Sequence, residues 1–82
     1  SLMYTVEFES DAAVITTLDQ DDMHEDVEVI LGDDGDVYIR QFEPDMDAYQ
    51  MIVMSHQQLI DIMAAYNSKE GAFYITFERP QV

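Results

Sequence analysis

Apolar and polar positions alternate along most of this chain, which is the period of a strand with one buried face. In MYTVEFES, Tyr4, Val6 and Phe8 fall on one face and Thr5, Glu7 and Glu9 on the other. AAVITTLD is short and β-branched and predicts a second strand, although Asp11-Ala12-Ala13 can also open a helical turn. DQDDMHED has no periodicity and is a loop.

VEVILGDDGDVYIRQFE then sets two β-branched or aromatic runs around Gly32-Asp33-Asp34-Gly35-Asp36. Glycine supplies positive φ without steric penalty and Asp tolerates left-handed backbone, so the five residues predict a hairpin turn. Pro44-Asp45 predicts a second turn ahead of YQMIVM, whose strand returns as the next member of a meander.

One helix follows, over about residues 55–67. Ser55 suits the N-cap and Gln58 stands three residues on, as in a capping box, with Met54 and Leu59 at the positions of a hydrophobic staple. Leu59, Ile62, Met63 and Tyr66 recur at i, i+3, i+4 and i+7, one apolar stripe to be turned toward a sheet. AFYITFE alternates Phe73, Ile75 and Phe77 against Tyr74, Thr76 and Glu78, and predicts a last strand before Pro80.

The expected fold class is therefore α+β: a mostly antiparallel, five- to six-stranded meander with one helix packed on one face, in the order β-β-β-β-β-α-β. One helix covers only part of such a sheet. Tyr38 and Phe42 oppose Val37 and Ile39, and Met51 and Val53 oppose Ile52 and Met54, so the second face is apolar too. Either the sheet curls over or a second copy covers it, and a homodimer is the expected state.

Eighty-two residues make a single domain over 1–82, and Ser1-Leu2 ahead of Met3 reads as a leftover of expression cloning. A chain of this size buries only about 60–65% of its unfolded surface, so its stability is expected to be modest. With 48% hydrophobic residues it is too apolar to be disordered despite a net charge of -15. Cysteine is absent, which excludes disulfides and thiolate metal sites. No apolar run reaches the roughly 18 residues that span a bilayer, and a soluble, cytoplasmic protein is the expectation.

Catalytic and cofactor patterns do not form. DQDDMHEDVE has Met23 where a calcium loop needs an oxygen ligand and lacks its glycine, and GDDGDVYIRQFE has glycines out of register. His24 lies among Asp21, Asp22, Glu25 and Asp26, and His56 starts the helix, but no thiol or serine elbow accompanies either. Phosphate loops are absent, and three basic residues against eighteen acidic ones cannot neutralise a nucleic-acid backbone. The reading is of a non-enzymatic protein with no cofactor, no metal, no direct nucleic-acid binding and no membrane partner.

What remains is the acidity and its clustering. Residues 19–47 hold twelve carboxylates and one arginine, -11 of the total -15. Asp19, Asp21, Asp22, Glu25, Asp26, Asp33, Asp34, Asp36, Asp45 and Asp47 are the candidate partner-binding residues. Alternate connections of a meander share an end, so Asp19–Asp26 and Glu43–Asp47 are expected at one end of the sheet, and Asp33, Asp34 and Asp36 at the other.

A field of that size speeds association with a basic protein surface, such as a nucleic-acid channel whose phosphates the carboxylates imitate. Two other accounts stand beside this one. Turns favour Asp and charge keeps an apolar, dimerising sheet soluble, as in a structural or assembly protein. A salt-loving source is the other, though adaptation of that kind spreads over the whole surface.

DGDVYIRQFE, MIVMS and HQQLIDIM, between residues 33 and 63, together resemble a pattern of small accessory proteins of bacteriophages and prophages, in which a hairpin leads into an apolar strand and a Ser-capped helix. Some acidic members bind host enzymes, so the resemblance implies a host-protein ligand in a host cytoplasm. It transfers no functional residue.

Overall fold

The computed structural model describes residues 3–68. Five strands precede one helix: β1 (Tyr4–Phe8), β2 (Ala12–Thr17), β3 (Val27–Gly32), β4 (Asp36–Glu43), β5 (Ala48–Ser55) and α1 (His56–Asn67). All neighbouring pairs are antiparallel and the spatial order is β1-β2-β3-β4-β5, so the expected meander forms. The strand expected over 72–78 lies outside the described residues.

The turns follow the local chemistry closely. Gly35 takes the left-handed conformation at φ 88° and its N–H donates to the Gly32 carbonyl at 3.3 Å. Gly32 takes no positive φ. Its role is space: a Cβ there would lie 2.6 Å from Asp34 Oδ1. In the β4–β5 turn Asp47 is left-handed at φ 48°, and its N–H donates to the Pro44 carbonyl at 3.3 Å.

Register sorts the side chains into two faces, because paired residues of an antiparallel ladder point the same way. One face carries the row Val6–Ile15–Val29–Ile39–Ile52 and beside it Phe8–Ala13–Leu31–Val37–Met54. The other is mixed, with the row Thr5–Thr16–Glu28–Arg40–Met51. The alternation read along each strand is thus continuous across the whole sheet.

The capping box closes as its residues require. Ser55 Oγ accepts the Gln58 N–H at 3.0 Å, and Gln58 Oε1 accepts the Ser55 N–H at 3.0 Å. Helix packing departs from expectation, however. The contacts of α1 with the sheet fall chiefly on β4 and β5; Leu59 is half-buried, whereas Ile62, Met63 and Tyr66 remain exposed. Periodicity gave α1 an apolar stripe, but of its four residues only Leu59 is half-buried. Val37 is the one fully buried side chain among the described residues.

Candidate functional site

Eight carboxylates meet at one end of the sheet. The β2–β3 loop carries Asp19, Asp21, Asp22, Glu25 and Asp26, the β4–β5 turn carries Asp45 and Asp47, and Glu43 closes β4 between them. Both connections lie at the same end because β2 and β4 run parallel to one another, each antiparallel to β3. The opposite end holds Asp33, Asp34 and Asp36 with Glu9 and Asp11 of the β1–β2 turn, joined by the Asp33 N–H donating to the Asp11 carbonyl at 3.0 Å.

The candidate residues do not all do the same work. Asp19 folds its own loop: its carboxylate accepts the backbone N–H groups of Asp21 at 3.2 Å, Met23 at 3.0 Å and His24 at 2.9 Å. Those bonds, that of Asp21 foremost, hold the Asp19 carboxyl below its ordinary pKa. Asp22 holds a left-handed backbone at φ 54°, as Asp47 does in the other turn, a conformation that short polar side chains tolerate. Glu43 Oε1 accepts the Asp45 N–H at 3.2 Å.

Asp34 is likewise structural. Its Oδ1 accepts the Asp36 N–H at 3.0 Å and its Oδ2 accepts the Tyr38 hydroxyl at 2.7 Å, and these bonds, in that order, depress its pKa. Asp21, Glu25, Asp26 and Asp45 are exposed, and their carboxylates accept no hydrogen bond from the described residues. These four present charge outward.

Two grooves open beside them. One of about 360 Å³ is lined by Asp22, Glu25, Asp26 and Glu43 together with His24 and Gln41, whose Nε2 donates to the Glu25 carbonyl at 3.0 Å. The other, about 370 Å³, has Glu25, Asp26 and Glu28 facing Phe42 and Tyr49, an edge-to-face ring pair 5.4 Å apart. Carboxylates beside an aromatic wall suit a guanidinium or ammonium group, which gains from both.

Arg40 shows that chemistry within the chain. Its Nε lies 3.1 Å from Glu28 Oε1 and its Nη2 3.2 Å from Oε2, while its guanidinium carbon stands 4.6 Å from the Tyr49 ring centre. Glu28 accordingly raises the Arg40 pKa. Arg40 is the only Lys or Arg among the described residues, and this pairing keeps it from offsetting the acidic end.

Composition did not reveal this groove. A signal was nevertheless present: a hairpin centred on Asp34 pairs residues whose numbers are equidistant from it, which sets Glu28 opposite Arg40. Among the described residues no three His, Asp or Glu side chains gather as metal ligands, and no helix is long and apolar enough to cross a membrane.

A family model described as a domain of unknown function, DUF8831, matches residues 5–65, from β1 into the last turns of α1. No curated protein and no solved structure matches the chain.

Proposed function

We propose that this chain, which belongs to the DUF8831 family, is a non-enzymatic binding module that offers one acidic end of its sheet to a basic protein surface. The observation that carries the reading is the convergence of two acidic loops, 19–26 and 43–47, on one end of the meander without a free cation among the described residues. Turn chemistry accounts for Asp19, Asp22, Asp34 and Asp47. It leaves Asp21, Glu25, Asp26 and Asp45, whose outward charge steers a cationic partner and is screened by salt.

The partner class is a basic, nucleic-acid-binding protein, whose arginines fit Glu25 and Asp26 beside Phe42 as Arg40 fits Glu28 and Tyr49. If residues 33–63 mark a phage product, that partner is a host protein. A structural or assembly role is the second reading, supported by the exposed side chains of Tyr49, Met51, Ile52 and Val53.

A labelled oligoarginine peptide titrated into the full chain tests the first reading. Binding is expected at about 0.05 M salt and lost by about 0.5 M, where exposed charges are heavily screened. Replacing Asp21, Glu25, Asp26 and Asp45 by their amides should weaken it at least tenfold, and Asp33→Asn with Asp36→Asn should leave it nearly unchanged. Equal losses from the two sets would mean that net charge alone attracts the peptide, and would overturn the assignment.

A further inference from the structure

Among the described residues β1 and β5 are the two edges of the sheet, and they are protected very differently. Sheet edges expose unpaired N–H and C=O groups, and charged residues, proline or bulges normally keep other strands away. β1 has five residues with Glu7 among them, and Glu9 and Asp11 follow directly. β5 is longer, AYQMIVMS, and contains no charged residue, no Gly and no Pro.

Its side chains are also uncovered. Tyr49 and Met51 on the mixed face and Ile52 on the apolar face are 53%, 52% and 62% exposed. An eight-residue apolar edge that no other described strand pairs is a template for another strand.

We propose that β5 is the pairing edge of a homodimer, joining two five-stranded meanders into one ten-stranded antiparallel sheet. Charge selects a second copy as the occupant. The chain carries -15, yet β5 and α1 together contribute a single carboxylate, Asp61, and no Lys or Arg. Two copies meeting through the ends of their sheets set carboxylates against carboxylates; approaching along β5 they do not.

Symmetry then restricts the register. A two-fold axis perpendicular to the sheet keeps each side chain on its own face, so the axis must set some residue opposite itself. Centring it on Ile52 places Met51 opposite Val53, Gln50 opposite Met54 and Tyr49 opposite Ser55, with no charged residue in any pair. The apolar row Val6–Ile15–Val29–Ile39–Ile52 then runs on into its own copy across the axis. The inference rests on the edge strand and is independent of the acidic end.

Sedimentation equilibrium on the full chain, from about 1 to about 100 µM, should show monomer and dimer in exchange. The dimer should tighten between about 0.05 and about 0.5 M salt as repulsion is screened, opposite to binding of a basic peptide. Ile52→Lys and Ile52→Glu should each weaken self-association at least tenfold while keeping the wild-type circular dichroism spectrum, and an equimolar mixture should restore a dimer, since each Lys then faces a Glu. A protein that is monomeric throughout has this edge covered by its own residues or left free, and overturns the proposal. So does a mixture of folded variants that stays monomeric, or a wild-type-like dimer in either variant alone.

Discussion

The phenolic hydroxyl of Tyr38 donates to Asp34 Oδ2 at 2.7 Å, tying β4 back to the turn it leaves. The bond shifts both groups, lowering the Asp34 pKa beneath 3.8, where the Asp36 N–H contributes most, and raising that of Tyr38 above 10.0. A lowered carboxyl contributes stability that is whole above 3.8 and lost as pH falls through its folded value; a raised phenol contributes below 10.0 and loses it as pH rises through its own. Melting temperature followed against pH should therefore decline at both extremes. Tyr38→Phe should flatten the alkaline decline and part of the acid one, and Asp34→Ala both. An unchanged alkaline limb in Tyr38→Phe would refute the coupling.

The two hairpin glycines should fail in different ways. Gly35→Ala strains the backbone at φ 88°, costing about 1 kcal/mol and some 4–8 °C of melting temperature in a domain this small, with Gly35→Asn milder. Gly32→Ala strains no dihedral and instead displaces Asp34, 2.6 Å from the new Cβ. Its signature is the loss of the Tyr38 alkaline limb, which Gly35→Asn should keep. Thermal melts of the three variants across pH separate the mechanisms.

Hydrophobic size alone ranks Phe8 above Val37 as a contributor to stability. Exposure reverses the order, since Phe8 is 84% exposed and Val37 fully buried. Val37→Ala should cost about 2 kcal/mol through lost contacts and the cavity left behind, and Phe8→Ala no more than about 0.5 kcal/mol. Urea denaturation of both variants measures the difference.

Local signals along the chain were read more faithfully than distant ones. Ser55 and Gln58 specify a cap because the groups that bond are three residues apart, and Gly32–Asp36 specify a turn for the same reason. Ile62, Met63 and Tyr66 show the limit of periodicity: it tells which side of a helix is apolar, and nothing about whether another element lies against it. Counting charge overstated the acidic surface, because Asp19 and Asp34 are acceptors for their own turns. The pairing of Arg40 with Glu28 and Tyr49 needs three strands in register, a relationship no single stretch contains.

The net charge of -15 should itself limit stability. Eight carboxylates at one end repel each other in the folded chain more than in an expanded one, and at about 0.1 M salt the screening length falls to about 10 Å. Raising sodium chloride from about 0.01 to about 0.5 M should thus raise the melting temperature by about 5 °C, near 1 kcal/mol for a domain of this size. Salt also tightens a dimer, so the measurement belongs on Ile52→Lys at low protein concentration, where that contribution is removed. Adding Asp21→Asn and Asp45→Asn should raise the low-salt melting temperature and shrink the salt response, because both carboxylates are exposed and no described residue donates a hydrogen bond to them. A salt response unchanged by those two substitutions would place the repulsion elsewhere than at the acidic end.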